Sequence, residues 1–172
     1  MTNYWWVNQT YYDEKDHKNE NISAAVETVN GGVVPTHKRA KEMDSGDIIL
    51  CYKRQLGVVF RIGLVRRPSD KPEWDKWKEY DQGPAHKVAV HYEDLMPTIP
   101  LAKFAASAYK YRIKGYPINK NYDVQQGYIH CFNEDGLASI MASQETVWPD
   151  WCELEKSKQK CKKMKAVALG IT

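Results

Sequence analysis

An α+β fold, in which a small mixed sheet curls into a barrel with helices in its longer connections, is what the sequence predicts on three observations. β-rich apolar runs recur at residues 4–9, 47–53, 57–67, 87–95 and 127–132, and the longer stretches between them have helical composition. Two of those runs, on either side of Gly57, read as a β-hairpin. Trp5 and Trp6 stand side by side in the first run and so point to opposite faces, which implies burial on both sides, as in a barrel strand.

At 172 residues the chain is one domain, long enough to bury a core, and its six Trp, eleven Tyr and three Phe exclude the disordered class. No run approaches a membrane span, and no basic stretch followed by an apolar one opens the chain, so a cytoplasmic protein without membrane contact is expected. Cys51, Cys131, Cys152 and Cys161 are irregularly spaced, as are the five histidines, so neither a metal nor another cofactor is expected. The net charge is +3, but Glu153 to Lys165 carries six lysines against two glutamates, which leaves the rest close to neutral. Affinity for nucleic acid through bulk charge is weakly supported for the body, and specific recognition would have to come from a pocket.

Tyr4 to Asn8 is the first strand, with Tyr4, Trp6 and Asn8 on one face and Trp5 and Val7 on the other. Either ring is a core residue or a pocket wall. Thr10 to Glu20 is polar, a loop or a short exposed helix. Ile22 to Val29 is small and apolar, contains Ser23, Ala24 and Ala25, and runs into Asn30, Gly31 and Gly32. It is either a short packed helix with a glycine stop or a segment that a ligand approaches closely. Thr36 is placed to cap a short helix that ends at Asp44, Ser45 and Gly46.

The hairpin follows, Ile48 to Lys53 and Val58 to Val65. Val58, Phe60, Ile62 and Leu64 form an apolar face that should be core, so Arg61 should look outward or across a groove. Every charge between Cys51 and Pro68 is positive: Lys53, Arg54, Arg61, Arg66 and Arg67. The hairpin is a solvated basic surface or a phosphate-facing edge.

Pro68 to Pro72 breaks the chain, and Trp74, Trp77 and Tyr80 then fall three apart, as on one face of a helix over Glu73 to Tyr80. That stripe is a docking face or a base-stacking platform. Lys87 to Leu95 alternates as a strand closed by Pro97 and Pro100. Leu101 to Ile113 reads as a helix with Leu101, Phe104, Ala105, Ala108 and Arg112 on one face, ended by Gly115 and Pro117. In the polar loop Asn119 to Gln126, the amides of Asn121, Gln125 and Gln126 suit either a base edge or an ordinary turn. Tyr128 to Phe132 is a strand, and Asn133 caps a helix over Glu134 to Ala142 with Leu137, Ile140 and Met141 inward. Trp148, Pro149 and Trp151 mark a boundary, giving a domain at 1–150 and a basic helix or tail at 151–172.

The opening YWWVNQ, the GDIIL strand followed by a GVV strand, VAVHYEDL with prolines after it, and a late polar loop ending in QQGYI, taken in that order, resemble the EVE-like branch of the PUA superfamily, related to YTH and ASCH domains. The resemblance runs from Asn3 to Ala142. It implies a PUA-like mixed β-barrel of five to six strands with flanking helices, without catalysis of its own. It implies further a reader of a modified base, flipped out of DNA, such as stands at the front of modification-dependent restriction proteins beside a separate nuclease or motor. On that resemblance the base pocket comprises Trp6, Asn8, Tyr11, Ser23, Ala24, Tyr52, Trp74, Gln125, Gln126 and Tyr128, with Lys53, Arg54, Arg61, Arg66 and Arg67 on phosphates. Relatives carry a tryptophan in the segment matching Ile22 to Glu27 and this chain does not, so its aromatic wall falls to Tyr11, Tyr12 or Trp74.

Three other readings stand beside this one. Related barrels bind RNA, where the 2′-hydroxyl marks the difference. A small nucleotide-processing enzyme is disfavoured, because His91, Glu93 and Asp94 show no nucleophile and base at recognisable spacing and neighbours on a strand point apart. An interaction scaffold would use the face of Trp74 and Trp77.

Overall fold

The computed structural model describes residues 1–9, 20–27, 32, 34–78, 81–142 and 145–152. The expected loop after the first strand, most of the glycine stop and the lysine-rich tail lie outside them. Among the described residues one sheet holds seven strands: β1 (Tyr4–Gln9), β2 (Asn21–Ala25), β3 (Ile48–Lys53), β4 (Val58–Arg67), β5 (Glu73–Lys78), β6 (Asp81–Pro100) and β7 (Ile129–Phe132). The order is β2-β6-β4-β3-β1-β7, with β5 also paired to β6. β1 and β3 are parallel and the other pairs antiparallel. The helices are short: α1 (Pro35–Lys38), α2 (Ala105–Tyr109) and α3 (Glu134–Ala142).

The sheet buries both faces. Trp5, Val7, Ile22, Ala24, Ile49, Cys51, Val65, Val88, Val90 and Ile129 make one apolar cluster. It joins β2 and β7, the two ends of the strand order, so the sheet must curl and this is its concave side. Ala40 and Met43, in and just after the 3-10 turn that follows α1, fill the gap. The same segment ties the free edges together, as an uncovered sheet edge requires. Arg39 Nη1 donates to the Ile129 carbonyl (2.6 Å), and the Tyr128 amide donates to Thr36 Oγ1 (3.2 Å). The chain thus forms a half-barrel closed by a helical strap.

On the convex side Tyr4, Trp6, Leu50, Tyr52, Val59 and Ile62 pack beneath α2 and α3 with Phe104, Leu137 and Ile140. Trp5 and Trp6 are both buried, at 6% and 0% exposure, each in its own core. Asp47 fixes the start of β1: its carboxylate accepts from the Asn3 amide (2.9 Å), Trp5 Nε1 (2.8 Å) and the Asp44 amide (3.0 Å). Asn133 caps α3 as expected, its Oδ1 accepting the Gly136 amide.

The structure corrects five local expectations. Within the helix expected over Glu73 to Tyr80, Glu73 to Lys78 is a strand, because the spacing of Trp74, Trp77 and Tyr80 is too little to fix a helix and pairing with Asp81–Ala85 decides the conformation. β6 runs on through Pro97 and Pro100, since β4 and β6 pair Val59 with Ile99 but Arg61 with Asp94, and the residues between arch out where no ladder donor is needed. The predicted helix 101–113 shrinks to a 3-10 turn and the five residues of α2, whose N-terminus has no side-chain cap. Thr36 lies inside α1 rather than capping it, its hydroxyl engaged by the amide of Tyr128, just before β7. The irregularity at Val59/Arg61 also splits the expected apolar face of β4: Ile62 joins the convex core while Phe60 packs against the concave one.

Candidate functional site

β1 and β3 end together, with Gln9 beside Lys53. The loop before β7 comes to the same end, its Tyr128 carbonyl accepting the Asn8 amide (2.8 Å). Asn8 builds this corner. Its Nδ2 donates to the carbonyls of Gly127 (2.7 Å) and Gln125 (3.1 Å) and faces His130 Nε2 at 3.3 Å, and its Oδ1 accepts Trp6 Nε1 (2.8 Å). Burial, then the nearby Arg39, lowers the His130 imidazole to about 4, so it is neutral at pH 7. Arg54 clamps the loop from outside, donating to the Val124 carbonyl (2.9 Å) and Gln126 Oε1 (3.2 Å).

Alternation along β1 puts Gln9 on the concave side with Trp5 and Val7. It is 4% exposed, and its carboxamide oxygen is sealed from solvent without a hydrogen-bond partner. Two strands away, on β4, Arg61 is 8% exposed and faces the same side. Its guanidinium lies 5.0 Å from the ring centres of both Phe60 and Tyr92. Nε and Nη2 donate to Asp94 Oδ1 at 3.1 and 2.9 Å, while Nη1 is buried with no partner. At ordinary strand spacing two strands span about 10 Å. An unpaired buried group costs about 1–3 kcal/mol, which makes this acceptor and this donor on one concave face candidates for contact with a ligand. Beside them Lys53, Phe60, Arg61, Asp94, Met96 and Thr98 line an open groove of about 440 Å³.

The residues singled out in the sequence are dispersed by this geometry. Trp6 and Tyr52 belong to the convex core, Trp6 being wholly buried with the rings of Tyr52, Phe104 and Phe132 at 5.2, 6.1 and 5.8 Å, so neither is a pocket wall. The polar atoms of Asn8 are used up in holding the loop. Ser23 is buried and donates to the Asp75 carboxylate. Ala24 lies in the concave core, and Tyr128 packs on that core with an edge contact to His37. Gln125 Nε2 donates to the Tyr116 carbonyl (2.7 Å), and Gln126 Oε1 accepts from Arg54. Trp74 is exposed on β5, and Tyr11 lies outside the described residues.

The five hairpin cations do not form one patch. Lys53 and Arg54 stand at the site, Arg61 is buried beneath it, and Arg66 and Arg67 are exposed at the far end of β4. Gln9 is the residue that sequence reasoning missed. Its alternation with Trp5 and Val7 was visible, but which face is concave was not.

No family model matches the chain, and no curated protein matches it in sequence. Solved structures do resemble it. The DUF55 domain of human thymocyte nuclear protein 1 superposes with a TM-score of 0.50 at 12% identity, covering 83% of this chain and 98% of that one. Protein Atu2648 from Agrobacterium tumefaciens has a TM-score of 0.48 at 16% identity, covering 83% and 93%. The Pho92 YTH domain, solved in complex with m6A, has a TM-score of 0.49 at 13% identity, covering 84% and 87%. The curled sheet with its few short helices is thus a PUA-like fold.

Proposed function

We propose that the concave end of the half-barrel holds one modified nucleobase of a nucleic acid, taken first of all from DNA, and that the domain is a reader rather than an enzyme. Gln9 Oε1 accepts an N–H of the base and Arg61 Nη1 donates to one of its ring or carbonyl acceptors. The observation that carries this is the pair of buried, unpartnered and complementary groups two strands apart on one concave face. Every nucleobase offers a donor and an acceptor along its edges, and the rings of Phe60, Tyr92 and Tyr128 supply flat apolar walls. Lys53 and Arg54 stand at the rim for the flanking phosphates.

The energies are compatible with such a role. Extracting a base costs a few kcal/mol. Stacking on side-chain rings returns about 1–3 kcal/mol per base, and a methyl group fitted against them adds ~1 kcal/mol. The two hydrogen bonds to Gln9 and Arg61 come without the usual loss of protein–protein partners, because neither atom has one.

The test is a binding screen of the full chain against oligonucleotides that differ in a single modified base, as single-stranded DNA, duplex DNA and RNA. A preference of tenfold or more for one modification, lost in Gln9→Leu, is expected. Equal affinity for all members of the panel, or an unchanged preference in Gln9→Leu, overturns the reading.

A further inference from the structure

From Leu95 to Tyr122 the chain has no Asp or Glu, yet it carries Lys103, Lys110, Arg112, Lys114 and Lys120. All five are exposed, and none makes an ion pair among the described residues. Tyr111 and Tyr122, at 42% and 47% exposure, are interleaved with them. The carboxylates at the borders are Asp94 and Asp123, and Asp123 is exposed in the turn at 119–123.

Contacts make this a continuous surface. Arg112 lies over the Tyr109 ring at 4.6 Å, and the Tyr122 ring meets Tyr109 edge-on at 5.7 Å. The turn that presents Tyr122 is held rigidly: Asn119 Oδ1 accepts the amides of Asn121 (2.8 Å) and Asp123 (3.2 Å), and Tyr122 has φ +65°. One residue past that turn, Val124 is clamped by Arg54, and Gly127 is held by Asn8 at the site. The path therefore leads from the rim beside Gln9, over the 119–123 turn, to the end of α2.

We propose that this surface, basic apart from Asp123, is a track for the single-stranded nucleic acid that flanks the base held at Gln9, an assignment that rests on the base-reading proposal. Unpaired cations attract the phosphates, and exposed tyrosines offer faces on which bases stack only when unpaired, which favours a single strand over a duplex. The shared chemistry is a polyphosphate backbone with free bases, and separate DNA and RNA arms of the experiment distinguish its source.

The experiment measures affinity against salt for oligonucleotides that carry the same base with short or long flanks. Long single-stranded flanks should tighten binding. The triple variant Lys110→Gln, Arg112→Gln, Lys120→Gln should lower the salt slope by about 2 and remove that gain, while the ratio between modified and plain oligonucleotides stays as in the parent. Tyr122→Asn, chosen because asparagine tolerates a positive φ, combined with Tyr111→Ser should weaken long single strands roughly five- to a hundredfold and leave duplex flanks unaffected. An unchanged slope and length gain in the triple variant, duplex flanks bound as tightly as single strands, or an acidic peptide bound as tightly as the oligonucleotide would each overturn the track. Absence of any modified-to-plain preference in the parent, with the slope change intact, would instead remove the base-reading proposal and leave the track standing.

Discussion

Gln9 and Arg61 face the same concave interior from strands separated only by β3, one with a buried carbonyl oxygen and the other with a buried amino nitrogen, and neither atom has a hydrogen-bond partner. Asn8 satisfies the Trp6 indole nitrogen and the carbonyls of Gln125 and Gly127, and the other two nitrogens of Arg61 hold Asp94.

Asn8→Leu and Gln9→Leu should therefore behave oppositely. The first strands the Trp6 indole nitrogen and the carbonyls of Gln125 and Gly127, and should cost about 3 kcal/mol or more. The second removes an unpaired buried oxygen and should leave stability unchanged or raise it by ~1 kcal/mol. Urea unfolding of the two variants decides the matter.

Arg61→Met should keep the fold within about 1 kcal/mol of the parent, since a methionine can lie between the Phe60 and Tyr92 rings without a buried charge, and should abolish oligonucleotide binding. Asp94→Ala leaves the guanidinium in place without its anchor, and should destabilise by about 1–3 kcal/mol. A thermal-unfolding series paired with a binding titration reads both.

His130 makes stability fall in acid. Its folded pKa is about 4 against an ordinary 6.5, so above pH 6.5 both states are neutral and nothing is lost. As pH falls below about 6.5 the unfolded chain takes up the proton first, and stability declines until about pH 4, by up to about 3 kcal/mol. Unfolding free energies at pH 7, 5.5 and 4.5 should show a steeper decline in the parent than in His130→Gln.

Gly63→Ala should cost about 1–3 kcal/mol, because a Cβ there would lie 2.5 Å from Val90 Cγ1 and 3.0 Å from the Tyr92 ring across the concave face. A lowered urea midpoint with unchanged slope is the expected signature.

Much of the architecture was legible from local pattern. The hairpin of β3 and β4, the doubly buried first strand and the Asn133 cap follow from alternation, turn residues and capping chemistry, all set by neighbours within a few positions. The conformation of Glu73–Lys78, the full length of β6 and the early end of α2 do not, because pairing partners and core contacts far along the chain decide them.

The sequence by itself determined that Tyr4, Trp6 and Asn8 share one side of a strand and Trp5, Val7 and Gln9 the other, since successive side chains on a strand must alternate. Which side is concave was decided only when α2 and α3 covered the first set and the curl of the sheet brought β2 and β7 around the second. That choice depends on contacts between residues more than a hundred positions apart. For this reason the aromatic Trp6 became core, and the less conspicuous Gln9 was left facing the interior with its oxygen unpaired.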